Sequence, residues 1–187
     1  MDNNLIWNKV LADPYSSYNT ERSDWQDIYD WILPLAHGEV LDVGCGLGHL
    51  SNTLMKSPNV LWTKGVDISS VAIEEARRRL PNSYFMVEDI EQSSRLQDGH
   101  YDCVCFTQVL EHIANDRGVI ASIPTGKDIF ISVPKETAHN HESHVHFFDS
   151  MEALEDRYKD LIDIALIEQV GESQFLCLYG KRNDNGM

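Results

Sequence analysis

Four residues at alternate positions, Asp42, Gly44, Gly46 and Gly48, stand in the segment VLDVGCGLG at residues 40–48. An apolar strand that runs into a glycine-rich turn, followed by HLSNTLM as the start of a helix, lets backbone pass close beneath a ligand and turns helix amides toward it. The glycine spacing is GxGxG, whereas the turn that cradles a pyrophosphate reads GxGxxG. Asp42 would repel a diphosphate but can accept hydrogen bonds from an ammonium group. A dinucleotide dehydrogenase is therefore disfavoured. Asp67 follows Gly44 by 23 positions, at the end of the run KGVDI. That is close to the distance at which an acid meets free ribose hydroxyls. A third acid, Asp89 in VEDI, ends another short apolar run and is placed to accept from an exocyclic amine such as that of adenine. Each acid taken singly could be a helix cap. Three in order along one sheet rim are harder to explain in that way.

A second group of residues is rich in imidazole. His139, His141, His144 and His146 crowd the segment TAHNHESHVHFFD, and Glu111 and His112 stand together after the run YDCVCFTQV. Imidazole and carboxylate together suit Mn, Fe or Zn. Three readings stay open: a metal site on Glu111, His112 and His144; a loop that orients an acceptor, with His144 or His146 as a base; or a surface loop without chemistry. Glu111-His112 also has a plain reading as a helix cap that shapes a pocket.

The elements that would position these residues follow from periodicity. From Glu39 onward, the short apolar runs EVLDVGC, VLWTKGVDI, SYFMVED, YDCVCFTQV, KDIFISV, LIDIALIEQV and FLCLYGK read as strands. Amphipathic stretches lie between several of them. Residues 69–80 predict a helix with Ser69 as cap and a stop at Pro81. Its late bases, Arg77, Arg78 and Arg79, form a solvated face that complements the macrodipole. Strand and helix in alternation imply right-handed crossovers and a doubly wound, mainly parallel α/β sheet. The last two runs are joined only by Gly171–Gln174, which predicts an antiparallel hairpin at the sheet edge. The segment before Glu39 holds Trp7, Tyr15, Tyr18, Trp25, Tyr29 and Trp31. It is either a lid over a pocket or a helical region packed on the sheet by its aromatic face.

Length and composition narrow the classes. The 187 residues fit one domain, 1–182, with an aromatic-rich cap region at 1–38, an α/β core at 39–182 and a disordered tail at 183–187. Thirty acidic against fifteen basic side chains give a net charge of −15, which disfavours nucleic acid as a partner. The four cysteines, Cys45, Cys103, Cys105 and Cys177, form no CxxC pair and read as buried thiols. The sequence carries neither a membrane-spanning run nor a secretory leader, so a cytoplasmic location is expected. Oligomeric state is open.

Together, residues 42–48, 66–69, 88–90 and 101–113 resemble the successive motifs of the class I S-adenosylmethionine-dependent methyltransferases, in the branch of the small ubiquinone-pathway O-methyltransferases. The resemblance implies a seven-stranded Rossmann-like sheet with one antiparallel edge strand, and S-adenosylmethionine across the strand C-termini with S-adenosylhomocysteine as product. Gly44, Cys45 and Gly46 would pass beneath the methionine part and Asp42 would anchor its ammonium. Asp67 would take the ribose hydroxyls with Ile68 against the adenine, Asp89 and the Ile90 amide would read the adenine edge, and Thr107, Gln108 and Val109 would wall the pocket near the sulfonium. The implied reaction is methyl transfer to a small-molecule acceptor. Two alternatives stand beside it: a metal-dependent RNA or nucleotide methyltransferase, and a regulatory protein that keeps the cofactor pocket without turnover. Members of the family that act on small-RNA 3′ ends through a metal carry Glu-x-x-Glu-His, and this chain has Gln108 in place of the first glutamate.

Overall fold

A computed structural model of the chain describes residues 3–12, 23–136, 143–172 and 174–185. Tyr15, Tyr18, His139, His141 and Ser173 lie outside the described residues.

The seven strands are β1 (Gly38–Val43), β2 (Val60–Asp67), β3 (Tyr84–Val87), β4 (Cys103–Thr107), β5 (Asp128–Pro134), β6 (Ile162–Val170) and β7 (Phe175–Arg182). They form one sheet in the order β3-β2-β1-β4-β5-β7-β6, with β1 through β5 parallel. The chain moves outward from β1 in one direction through β2 and β3, then returns to place β4 on its other side. That reversal opens a crevice beyond the carboxyl ends of β1 and β4, where ligands bind in doubly wound sheets. The predicted hairpin occupies the edge, but its antiparallel strand is β7, one place in, and β6 lies outermost. Burial explains the order. FLCL in β7 is buried throughout, as an inner strand requires, whereas β6 exposes Asp163, Ala165, Glu168 and Gln169 and has no fully buried residue after Ile162.

Successive residues of each strand serve opposite faces. Leu41, Val43, Val104, Phe106, Ile129 and Ile131 face α5 (Arg95–Asp98), α6 (Asp116–Ala121) and α7 (Met151–Tyr158). Val40, Cys103, Cys105, Phe130 and Cys177 face α2 (Ser23–Ile32) and α3 (His49–Leu54). The four cysteines are buried, unpaired thiols. Helix α2 carries Ile28, Tyr29 and Ile32 into the second layer, and α1 (Asn3–Ala12) lies against α4 (Ser70–Arg79).

Two local predictions have direct structural counterparts. The Ser69 side chain caps α4 by accepting from the Ala72 amide, and the helix ends at Arg79. Arg78 and Arg79 lie on the exposed face and pair with Glu75, while Arg77 donates to the Phe85 carbonyl. The Ser69 hydroxyl also donates to Asn8 Oδ1 of α1 at 2.8 Å, so one residue ties the cap region to the core. Ser69→Ala is expected to cost about 1–2 kcal/mol in a urea melt, a full cap plus this second bond. A loss under about 0.3 kcal/mol would mean that the cap contributes nothing.

The tail departs from expectation. Asn183 is buried, its amide donates to the Leu161 carbonyl at 3.0 Å, and its side chain donates to Asp163 at 3.2 Å. Disorder expected from 183 onward therefore does not apply to Asn183, because that residue continues the pairing of β7 past Arg182.

Candidate cofactor and acceptor site

An open cleft lies over the carboxyl ends of β1, β2, β3 and β4. Every cofactor residue expected from the sequence lines it: Asp42, Gly44, Cys45, Gly46, Asp67, Ile68, Asp89, Ile90, Thr107 and Gln108.

The glycine turn is shaped by its neighbours. Gly44 and Cys45 both donate to the Val66 carbonyl, at 2.8 and 3.1 Å, and this bends the chain out of β1 beside β2. Gly44 sits at φ +67°, and a Cβ on it would come within 2.3 Å of the Val109 side chain. Gly46 sits at φ +50°, and a Cβ there would meet nothing within 4 Å, so its surface is left open toward the cleft. The Asp67 carboxylate fixes the turn from β2. One oxygen accepts from the Gly46 amide at 2.9 Å and the other from the Ser69 amide at 2.8 Å. Each carboxylate oxygen offers about two lone-pair sites, so both can still accept from a diol. Burial raises the Asp67 pKa.

Asp42 lies at the cleft floor, 1% exposed, and accepts from the Ser51 hydroxyl of α3 at 2.7 Å. Burial raises it to about 7, and the nearby Asp67 charge adds to the rise. Asp89 stands at the end of β3 beside the cleft. It lines the cleft, and its carboxylate also caps the following turn by accepting from the Glu91 amide and the Gln92 side chain. Gln108 adopts φ +57°, which is strained for a residue with a side chain, and is held by Ser132 through both its amide and its side chain. The turn after β4 thus presses Thr107 to Val109 against the cleft.

The aromatic region joins the site as well as the core. Trp7, Trp25 and Tyr29 line the cleft, and Tyr29 is at the same time part of the packed layer. Trp7 meets His112 edge to face at 4.9 Å between ring centroids.

The histidines separate. His146 is not at the cleft: its Nε2 lies 3.0 Å from the Ile113 carbonyl, 3.1 Å from Arg157 and 3.4 Å from Asp116. That corrects its expected place as a base or acceptor-orienting group. It belongs to a structural network in which Asp116 accepts from Arg157 and Tyr158. His144 stands one residue behind the cleft wall. Its ring meets His112 at 4.6 Å, and its Nδ1 pairs with Glu136. Among the described histidines of this group, His112 lines the cleft, and its Nδ1 lies 3.1 Å from the Ser143 carbonyl. The Glu111 carbonyl accepts from the Val145 and His146 amides, which docks residues 143–148 against the turn Leu110–His112. Glu111, His112 and His144 are therefore brought together although 32 positions separate His112 from His144.

Sequence reasoning missed Ser51, Glu136 and the cleft roles of Glu88 and His49. Nothing in their local pattern marks them, since each is defined by a partner on another element.

Residues 40–123 match a family model described as a methyltransferase domain. The Ubiquinone biosynthesis O-methyltransferase of Dechloromonas aromatica (strain RCB) is 30% identical over 128 residues, 64% of this chain and 53% of that protein. The Trans-aconitate 2-methyltransferase of Rhodopseudomonas palustris (strain BisB5) is 24% identical over 66% of this chain and 49% of its own length. The chain thus spans about half the length of these curated relatives. Among solved structures, the N-methyltransferase NodS of Bradyrhizobium japonicum WM9, in complex with S-adenosylhomocysteine, superposes with a TM-score of 0.77 at 15% identity. It covers 96% of this chain and 97% of that one. Magnesium protoporphyrin IX methyltransferase from Synechocystis PCC 6803, with bound S-adenosylmethionine, gives 0.64 at 19% identity over 98% of both chains. The chain is thus similar to a methyltransferase domain over residues 40–123, and it shares its fold with these two solved structures. Among the described residues, no helix is long and apolar enough to cross a membrane.

Proposed function

We propose that the chain binds S-adenosylmethionine in this cleft and transfers its methyl group to a small-molecule acceptor. The observation that carries the reading is the convergence of Asp42, Asp67 and Asp89, from three successive strand ends, on one cleft floored by the glycine turn. The residues fit the cofactor. Gly46 leaves open the space that a Cβ would fill, Asp67 retains acceptor capacity for a diol, and Asp42 places a carboxylate at the floor for an ammonium. Ile68 and Ile90 supply apolar surface for a flat base between the acids. When bound, S-adenosylmethionine supplies a methyl group on a positively charged sulfur, an electrophile that needs a nucleophile held in line at about 3–3.5 Å more than it needs acid or base catalysis. This chain's contribution is then orientation and exclusion of water.

The acceptor side is aromatic and apolar. Trp7, Trp25, Tyr29, Val109, His112 and Ile113 line it, and among the described lining residues there is no lysine or arginine. A neutral or cationic acceptor with a flat apolar body suits this wall, and a polycarboxylate does not. The net charge of −15 argues in the same direction against nucleic acid. A reducing, cytoplasmic setting belongs to the same reading, in keeping with four unpaired thiols.

A thermal melt with S-adenosylmethionine, S-adenosylhomocysteine and NAD tests the pocket. Ligand at a hundred times its dissociation constant should add about 2.7 kcal/mol. A shift with the first two and none with NAD is expected; a shift with NAD alone would overturn the reading. Asp67→Ala should weaken cofactor binding by about ten-fold or more, from loss of hydrogen bonds to a charged acceptor and of the anchor on Gly46. Unchanged affinity by calorimetry would remove Asp67 from the site. Methylation of a panel of phenols, amines and polycarboxylates, read by release of S-adenosylhomocysteine, tests the acceptor class.

A further inference from the structure

We infer, on the strength of the methyl-transfer reading, that the acceptor is an amine arriving as a cation on a flat apolar body, and that Trp7, Trp25 and Tyr29 recognise its charge. Three elements bring aromatic rings to one wall. Helix α1 is pinned over the start of α4, where Asn8 Oδ1 accepts from the Ser69 hydroxyl at 2.8 Å, the Val71 amide at 3.3 Å and the Ser70 hydroxyl at 3.4 Å. Its neighbour Trp7 consequently reaches from the end of β2 to the turn after β4, where it meets the His112 ring at 81° between planes. Trp25 and Tyr29 stand four positions apart on α2, a spacing that sets both on one helix face, and both line the cleft with Trp7.

Two properties of this wall select a cation. An aromatic face attracts an ammonium through its quadrupole, tryptophan most strongly, and the attraction grows where water is excluded. Tyr29 is buried, so the inner end of the wall is of that kind. The second property is charge. Asp42, Asp67, Glu88, Asp89 and Glu91 line the cleft, against no lysine or arginine among the described lining residues. Glu88 is paired with Arg95 at 3.1 Å, and Arg79, which reaches His49 from outside the cleft, is held by Glu75. The remaining carboxylates outnumber the single net positive charge of S-adenosylmethionine, so the loaded cleft stays negative. An ammonium is drawn into that field and a carboxylate or phosphate is repelled. A neutral phenol gains only the apolar contact.

The chemistry of transfer favours the same class. A protonated amine is no nucleophile, so one proton first passes to solvent through the open cleft. The freed lone pair on nitrogen then forms the N–C bond to the methyl group while the C–S bond breaks and leaves its electron pair on sulfur. The products are an N-methylammonium and S-adenosylhomocysteine. Positive charge thus moves from sulfur to nitrogen, and a wall that binds ammonium faces the charge as it develops.

Calorimetry with S-adenosylhomocysteine on the unaltered chain comes first, and its failure would remove the methyl-transfer reading together with the amine. With that complex formed, phenethylamine, 2-phenylethanol and phenylacetate present one flat body with a cation, a neutral group and an anion. Phenethylamine is expected to bind about five-fold or more tighter than 2-phenylethanol, with phenylacetate the weakest. A smaller preference for the cation, or no binding of phenethylamine at about 10 mM, would overturn the amine and leave the cofactor site standing. Trp7→Leu keeps an apolar side chain but removes the π face. It should weaken phenethylamine about five-fold and 2-phenylethanol less than about two-fold, and Trp7→Phe should recover part of the loss. Equal losses for both ligands would show that Trp7 only fills space, and circular dichroism checks that each variant is folded. Tyramine carries an amine and a phenol on one ring, and mass spectrometry after reaction with S-adenosylmethionine is expected to place the methyl group on nitrogen. A methyl group on oxygen instead would sink the assignment.

Discussion

Gly44→Ala is expected to destabilise the folded chain by about 2–5 kcal/mol, whereas Gly46→Ala, two residues away in the same turn, should cost only about 1–2 kcal/mol. Both positions have positive φ, and a side chain in that region costs about 1–2 kcal/mol. They differ in what surrounds them. A Cβ on Gly44 would stand 2.3 Å from one Val109 methyl and 3.3 Å from the other, so Val109 must withdraw from its packed position. Overpacking of that kind adds about 1–3 kcal/mol. A Cβ on Gly46 meets nothing within 4 Å, and the space it enters is the cleft. The two variants should therefore separate fold from function: Gly44→Ala appears in urea melts of the unliganded chain, and Gly46→Ala appears as a reduced thermal shift with S-adenosylhomocysteine. Equal stability losses in the two would mean that the turn does not rest on Val109.

Asp42→Asn is expected to stabilise the unliganded chain at pH 8 and to do so progressively less as the pH falls. Burial raises the Asp42 carboxyl to about 7, against an ordinary value near 3.8. The folded state consequently holds a proton that the unfolded state has released between about pH 4 and pH 7. Stability then falls as pH rises through that window and levels off above it. The difference corresponds to an upper bound of about 4 kcal/mol at pH 8, and to nothing below about pH 4. An asparagine can still accept from Ser51 Oγ and carries no buried charge. The gain at pH 8 should be accompanied by weaker cofactor binding, because the carboxylate proposed for the ammonium is gone. Melts of both proteins from pH 5 to pH 8 check the sign. A variant destabilised equally at both ends would show that Asp42 is not held against its charge.

Local pattern determined a good deal about this protein. The apolar run ending in Asp42-Val43-Gly44 is a strand entering a glycine turn, and Ser69 caps α4, because periodicity, φ preference and capping act within a few residues. The cleft-lining residues proposed for the cofactor follow from the same logic, since each lies at a strand end, and parallel strands joined by helices present their carboxyl ends along one rim. Only the tertiary structure decided the rest. It set β7 inside β6, where continuous burial wins over sequence order. It sent His146 to Asp116 and Arg157 and placed His144 behind His112, although both histidines sit in one short segment. It brought Ser51 to Asp42 and Glu136 to His144 across gaps that no period spans. The physical reason is range: backbone preferences and hydrophobic periodicity are written in neighbouring residues, whereas the partner of a buried polar side chain is chosen by the packing of distant elements.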